Sequence, residues 1–250
     1  MRMRVARRVA ALVVTASTVA LLSTGCSAVS SAVGSTAGDT AGTGTAQPGG
    51  FAANGSDVGA DGSALAALGT LRIKPLDTSV KYDRDAFGTA WKDVDHNGCD
   101  TRNDVLHRDL HSVTVRSSDT CIVLTGELND PYTNRIIRFN RGKNSATVQI
   151  DHVVPLGDAW RTGAYAWTEP EREQIANDPE NLLAVDGPTN VKKSDSDASE
   201  WLPPAAGYHC VYVARQIGIK ARYHLWVTQA EADAMRSVLA TCPSQPELGG

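Results

Sequence analysis

The residues of this sequence that are best suited to chemistry stand in three short segments. Asp151 and His152 lie in the first, Asn181 in the second, and Asn190 and Lys193 in the third. An imidazole titrates near neutral pH and can act as a general base. A carboxylate oxygen and an amide oxygen can bind a hard divalent cation that keeps several of its waters. These groups could hydrolyse a phosphodiester on one metal ion, with Lys193, one helical turn after Asn190, contacting the phosphate.

A compact unit is predicted to position these groups. Residues 147–150 alternate polar and apolar side chains, which predicts a strand that leads into Asp151. Residues 182–185 are apolar and predict a short buried strand, followed by a Gly-Pro turn and a helix that begins near Asn190. This order of strand, loop, strand and helix defines a ββα-metal finger, with an insertion between its two strands. Further helices are predicted at 81–91, 104–110, 168–177, 208–217 and 229–240, and further strands at 113–116 and 121–125.

The N-terminal part of the chain has the features of an export signal. Residues 1–25 combine four arginines, an apolar run too short to span a membrane comfortably, and small residues at the end. Cys26 follows and resembles the lipid-modified cysteine of a bacterial lipoprotein, but Ser23 stands where Leu is usual, so ordinary secretion is the alternative. Residues 26–68 are rich in Ser, Ala, Gly and Thr and predict a flexible tether. The protein is therefore expected outside the cytoplasm, secreted or lipid-anchored to the outer face of the cell membrane.

The remainder predicts one folded domain over residues 69–243, with a finger core at about 146–200 and a tail at 244–250. Its fold class is predicted as α+β, with the ββα-metal finger embedded in a mostly helical domain. Four cysteines other than Cys26 can form two disulfides in an oxidising compartment. Several pairings are possible, and local pairing favours Cys99–Cys121 and Cys210–Cys242. No Cys/His spacing typical of a zinc site occurs.

Charge places a limit on how the chain could bind nucleic acid. Its formal net charge is −4 at pH 7, and removal of the four arginines of the signal would make it more acidic. Since phosphate contacts supply most of the affinity for nucleic acids, local basic clusters must carry any such binding. Solvated faces are the alternative interpretation of these clusters. The clusters are Arg135, Arg138, Arg141 and Lys143; Lys192 and Lys193; and Arg215, Lys220 and Arg222.

A second metal pattern lies ahead of the finger. Asp93, Asp95 and Asn97 alternate along the chain, and Asp104 stands at the twelfth position, which fits a calcium loop by spacing. However, Asp104 replaces the usual bidentate Glu, and a polar turn would explain the same residues. A bound Ca²⁺ at this second site is thus one of two interpretations.

Three motifs of the chain resemble the signatures of HNH endonucleases whose third signature residue is Asn. They are Asp-His-x-x-Pro at 151–155, Asn-Leu at 181–182 and Asn-x-x-Lys at 190–193. Segments at 99–103, 130–133, 200–204 and 220–223 extend the resemblance to secreted HNH proteins related to the C-terminal domain of GmrSD-type restriction endonucleases.

The resemblance implies roles for individual residues. His152 would be the general base, Asp151 and Asn190 would bind the metal, and Asn181 would hold the histidine-bearing loop by hydrogen bonds. Arg102, in the family-like segment that begins at Cys99, could reach the scissile phosphate or form a structural salt bridge with a carboxylate such as Asp100.

The expected function is that of an extracytoplasmic HNH endonuclease that uses Mg²⁺ or Mn²⁺. Its expected substrate is DNA, cleaved with little sequence specificity, and no protein partner is implied. The alternative is a calcium-stabilised extracytoplasmic binding module with an inactive HNH-like finger. A peptidase is disfavoured because the sequence lacks G-x-S-x-G and H-E-x-x-H.

Overall fold

The computed structural model describes residues 60–142 and 144–249. The predicted signal peptide of 1–25, Cys26, the first part of the predicted tether, and Lys143 lie outside the described residues. Within the described ranges, no helix is long and apolar enough to cross a membrane.

The described residues form seven α-helices and five strands, which confirms the predicted α+β class. The strands build a three-stranded antiparallel sheet in the order β1-β2-β3 and a separate antiparallel pair, β4 and β5. In chain order the elements are α1 Ala64–Thr70, α2 Thr101–Asp109, β1 Leu110–Arg116, β2 Asp119–Asp130, β3 Arg135–Asn140, β4 Val148–His152, α3 Leu156–Arg161, α4 Glu169–Asn177, β5 Leu182–Asp186, α5 Gly187–Lys193, α6 His209–Arg222 and α7 Gln229–Leu239.

The ββα unit consists of β4, β5 and α5. His152 lies opposite Leu182 in the pair, and the insertion between the two strands carries α3 and α4. The first four residues of β5, 182–185, are apolar because both faces of the strand are covered there. Leu182 packs into the cluster formed with α2 and β2, whereas Leu183 packs into the cluster formed with α6 and α7. The unit is therefore held rigidly inside the domain.

Two disulfides link chain segments around the ββα unit, and both predicted pairings are confirmed. Cys99–Cys121 links the loop before α2 to β2, and Cys210–Cys242 links the first turn of α6 to the segment after α7. The helix α7 begins with a capping box, in which Thr228 and Glu231 satisfy each other's backbone N–H groups.

The predicted helix at 81–91 is wrong. That segment contains only the 3-10 helix Asp85–Phe87, and its chain then turns through Gly88 at φ +73° and Trp91 at φ +60°. Because left-handed backbone geometry cannot continue an α-helix, the segment becomes an irregular loop that wraps over the finger.

Both ends of the domain extend beyond the predicted boundaries at 69 and 243. The helix α1 lies inside the predicted tether of 26–68, and its residues Ala64 and Leu68 are buried. The predicted tail at 244–250 is also packed, since the Gln245 carbonyl accepts a hydrogen bond from Ala64 N at 2.9 Å and Leu248 contacts the same core. A few aliphatic residues suffice here because α6 and α7 provide the apolar surface that covers them.

Candidate active site

An open cavity of about 270 Å³ lies where β4 ends, beside α5. Three of the predicted site residues, Asp151, His152 and Asn190, contribute to its wall. The wall is completed by Arg84, Ile150, Pro155, Leu156, Val191, Ser194 and Asp195. The structure thus brings together the predicted base and the two predicted metal ligands, although they are separated by up to 39 positions in the sequence.

The His152 ring is held in one orientation. Its Nε2 lies 2.8 Å from the carbonyl oxygen of Ala176, and its plane stacks on Trp91 at a centroid distance of 6.2 Å. Because a carbonyl can only accept, Nε2 carries the proton and Nδ1 is the basic nitrogen. Burial lowers the pKa of His152 to about 4, against the opposing effect of the Ala176 carbonyl. The imidazole is therefore neutral at pH 7 and able to accept a proton.

Asn181 is fully buried and holds the loop that follows His152. Its Oδ1 accepts from Val154 N at 2.9 Å, and its Nδ2 donates to the carbonyls of Val154 at 3.3 Å and Ile175 at 3.2 Å. Its own carbonyl accepts from Val153 N at 2.8 Å. Asn181 therefore positions the loop through hydrogen bonds and does not line the cavity.

Lys193 does not lie where a phosphate could reach it, which corrects the role predicted for it. Its side chain is fully buried, and its ammonium donates to Asp151 Oδ1 at 2.9 Å and to the carbonyl of His152 at 2.8 Å. The short helix α5 packs its final turn against β4, so this face points inward. Lys193 supplies the buried positive charge that a buried carboxylate requires.

The carboxylate of Asp151 is fixed from two sides and still has capacity to bind a metal. Its Oδ2 accepts a hydrogen bond from the Tyr132 hydroxyl at 2.5 Å, and Lys193 binds its Oδ1. An ionised carboxylate has about four lone-pair sites, so these two bonds leave sites on both oxygens. Burial and the charge of Asp151 hold the pKa of Tyr132 well above its usual value, which keeps this phenol a donor.

Asn190 lines the same cavity and has an amide oxygen to offer. Its Nδ2 donates to Gln149 Oε1 at 3.0 Å, which leaves its Oδ1 as the acceptor. Together with Asp151 this oxygen forms a donor set that suits a hard cation such as Mg²⁺. Asp195 adds a carboxylate to the same cavity. Sequence reasoning did not assign it a role, although it stands only five positions after Asn190.

Arg102 lies away from the cavity wall, contrary to its predicted contact with the scissile phosphate. Its guanidinium is half-buried over the ring of Phe139, 5.9 Å from the centroid, and burial lowers its pKa. Among the salt bridges of the described residues, none joins Arg102 to Asp100 or to another carboxylate. Instead, Asp100 caps α2 by accepting from Asn103 N at 2.8 Å, so its carboxylate is already engaged.

Most of the side chains in the predicted basic clusters bind other groups of the protein. Arg141 donates to the Val123 carbonyl, Arg215 donates to the Glu180 carbonyl, and Arg222 forms an ion pair with Asp178. These side chains tie loops and helices together, whereas Arg135, Arg138 and Lys192 of the same clusters are exposed.

A group of buried carboxylates resembles a metal site but contains its own cation. Oxygens of Asp158, Asp197 and Glu231 lie within 4.8 Å of one another. The Lys220 ammonium lies 2.9 Å from Asp158 and 2.5 Å from Glu231, and all four residues are buried. Burial raises the pKa of Glu231 to about 8, although Lys220 opposes this shift. The group is therefore a structural ion network that joins α3, α6, α7 and the segment after α5.

The residues of the predicted calcium loop lie in one turn, held by their own hydrogen bonds. Asp93 accepts from Gly98 N at 3.0 Å, and the amide of Asn97 donates to Asp95 at 3.0 Å and Asp104 at 3.2 Å. Burial and the neighbouring carboxylates raise the pKa of Asp104. The binding of Ca²⁺ here stays a prediction.

Comparison with known proteins points to a nuclease-like domain. Residues 100–238 match the family model of the C-terminal domain of GmrSD restriction endonucleases, and the chain belongs to this family. It is also similar to an uncharacterised secreted protein of Arthroderma benhamiae (strain ATCC MYA-4681 / CBS 112371). The two chains are 37% identical over 182 residues, which cover 72% of this chain and 85% of the relative.

Besides Asp195, three residues near the cavity were missed by the sequence reasoning. Tyr132 binds the carboxylate of Asp151, Trp91 stacks on His152, and Arg84 contributes a cation to the wall. Tyr132 stands in a family-like segment, which was the available signal. Trp91 and Arg84 stand in the segment that the sequence predicted as a helix, so their approach to His152 had no visible signal.

Proposed function

We propose that this protein is an extracytoplasmic, metal-dependent HNH endonuclease that hydrolyses phosphodiester bonds of DNA. The observation that carries the proposal is the single cavity lined by His152, Asp151 and Asn190. A base and a hard-cation site in one cavity are what hydrolysis of a phosphodiester requires.

In this proposal, His152 accepts a proton from the attacking water at Nδ1. The carbonyl of Ala176 holds Nε2–H throughout, so the ring does not rotate as it becomes charged. The nearby carboxylate of Asp151 favours the charged ring, which offsets part of the cost of burial. A divalent cation held by Asp151 and Asn190 would stabilise the charge on the phosphate and on the leaving oxygen.

The shape of the site supports little sequence specificity. The cavity opens at the end of a two-stranded hairpin, and the neighbouring helix α5 has seven residues, of which Lys193 and Thr189 are buried. No long helix with exposed basic residues flanks the cavity within the described residues, so nothing there could read base edges in a groove.

Two observations support the proposed location outside the cytoplasm. Two disulfides and a relative described as secreted fit a compartment outside the cytoplasm. Attachment to the membrane through a lipid on Cys26 stays a prediction, which mass spectrometry of the protein purified from its own membrane would test.

Cleavage of supercoiled plasmid in Mg²⁺, Mn²⁺, Ca²⁺ or Zn²⁺ tests the proposal. The wild-type protein should nick plasmid in Mg²⁺ or Mn²⁺ and lose this activity in EDTA. The Asn190→Ala variant should need a higher cation concentration, whereas Asn140→Ala, at an exposed position at the end of β3, should behave as wild type. Failure to cleave plasmid, single-stranded DNA and RNA with every cation would overturn the proposal. Cleavage of RNA in preference to DNA would change only the proposed substrate.

A further inference from the structure

The cavity poses an electrostatic problem for a phosphate. Two carboxylates, Asp151 and Asp195, stand in its wall, while the two cations predicted to meet the phosphate lie elsewhere: Lys193 is buried and Arg102 is absent from the wall. A bound cation alone would be attracted to the carboxylates, but the phosphodiester also needs positive charge near its free oxygens. A basic side chain on the wall would supply that charge.

Arg84 occupies the required position. It is exposed and, apart from His152, it is the basic residue in the wall of the cavity as far as the structure describes the chain. It also borders a smaller adjoining cavity, which Trp91, His152 and Phe87 line. Arg84 therefore lies beside the base, at the junction of the two cavities. Its charge is close enough to act on His152, where it opposes protonation.

The backbone at Arg84 is firmly held, although its side chain is in solvent. Phe87 N donates to the Arg84 carbonyl at 3.1 Å, and Phe87 is buried against Trp160 at a centroid distance of 6.1 Å. Tyr82, two positions before Arg84, packs on the same Trp160 ring, also at 6.1 Å. Anchors on both sides fix the origin of the side chain, which reduces the entropy lost when it binds an anion.

The guanidinium lies beside the hydroxyl of Tyr82, a neutral group that leaves its positive charge uncompensated. Among the ion pairs of the described residues, none includes Arg84. By contrast, Arg138, an exposed arginine on β3, pairs with Glu127 at 3.3 Å. A guanidinium presents two parallel N–H groups that match two oxygens of a phosphate, a geometry that lysine cannot reproduce.

We propose that Arg84 binds the non-bridging oxygens of the scissile phosphate and stabilises the negative charge that develops there. This inference rests on the proposed nuclease function, because it names the residue that meets the phosphate in the same cavity. The phosphate would then contact both Arg84 and a cation held by Asp151 and Asn190 in the same cavity, beside a water activated by His152.

A substrate with a single phosphate tests the inference most sharply. Bis(p-nitrophenyl) phosphate has no flanking phosphates, so a residue that contacts a neighbouring phosphate of DNA would not affect its hydrolysis. Arg84→Ala should lower kcat/KM about 10- to 100-fold on this substrate and on plasmid alike. Arg84→Lys should recover part of the loss, because it restores charge without the two parallel donors. Arg116→Ala removes the same charge at an exposed position at the end of β1, outside the cavity wall, and should leave both rates near wild type.

Thermal unfolding of each variant distinguishes a lost contact from a lost fold, and Arg84→Ala should melt within about 1 °C of wild type, as expected for an exposed side chain. The inference is overturned if active wild-type protein and Arg84→Ala hydrolyse the small diester equally. It is also overturned if the loss is confined to plasmid. If the wild type cleaves neither plasmid nor another nucleic acid, the proposed function itself fails, and this result is separate from any effect of Arg84.

Discussion

Replacement of Asn181 by alanine should both destabilise the protein and impair the site. The substitution removes three side-chain hydrogen bonds, at 2.9, 3.3 and 3.2 Å, and leaves Val154 N and two carbonyls without these partners in the buried interior. A net value of about 1 kcal/mol for each hydrogen bond gives a loss of about 3 kcal/mol in the free energy of unfolding. For a domain of this size, that corresponds to a decrease of about 6 to 12 °C in Tm.

A second variant separates the effect of losing the amide's hydrogen bonds from the effect of losing side-chain volume. Asn181→Asp keeps an oxygen that accepts from Val154 N but points its second oxygen at the carbonyls of Val154 and Ile175, so it should be at least as unstable as the alanine variant at pH 7. Asn140→Ala, at an exposed position, should change the stability by less than about 0.5 kcal/mol.

Differential scanning calorimetry measures the stability, and plasmid nicking at a temperature where each variant is folded measures the site. Folded Asn181→Ala should cleave more slowly than wild type, because the loop carrying His152 is no longer held at Val154. A Tm within about 2 °C of wild type for both Asn181 variants would refute the reasoning. It would show that these three bonds do not hold the loop.

Three further results are expected. Lys193→Met should lower the free energy of unfolding, measured in urea, by about 3 to 5 kcal/mol, because it leaves the Asp151 carboxylate buried without its charge partner. Equal stability of Lys193→Met and wild type would contradict this. The disulfide Cys99–Cys121 closes a loop of 22 residues, so its reduction should lower the free energy of unfolding by about 3 kcal/mol. A Cys99→Ser/Cys121→Ser variant as stable as wild type would argue against this contribution. Burial raises the pKa of Glu231 to about 8 in the folded protein, above its pKa in the unfolded chain. The stability that this shift contributes is therefore fully present below the unfolded pKa and is lost as pH rises through 8. The Tm should therefore decrease between pH 6 and 9 more in wild type than in Glu231→Gln, and parallel curves would count against a protonated Glu231.

The finger was predictable because its signals are local. Alternation over residues 147–150 and the apolar run at 182–185 each specify one strand, and the structure places β4, β5 and α5 in the predicted order. The predicted Gly-Pro turn is instead the first turn of α5, which begins at Gly187, three residues before the predicted start. The disulfides were predictable for a similar reason, since each cysteine was paired with a near neighbour in the chain. The ends of the domain were not predictable, because α1 acquires its buried face only when α6 covers it.

The site itself was only partly predictable. Motif spacing indicated His152, Asp151 and Asn190, but it could not show which face of α5 packs inward, and so it placed Lys193 at the phosphate. The loop containing Arg84 and Trp91 has the composition of a helix, and its approach to His152 results from Gly88, from the left-handed turn at Trp91 and from the burial of Phe87. Contacts of this kind depend on tertiary packing and leave no periodic pattern in the sequence.

The most direct test of the central claim is the rate of plasmid cleavage by His152→Ala in saturating Mg²⁺. His111→Ala serves as a control, because His111 is exposed and on β1. Removal of the general base should lower the rate at least about a hundredfold, while the control keeps the wild-type rate and both variants remain folded. Cleavage by folded His152→Ala at close to the wild-type rate would contradict the account.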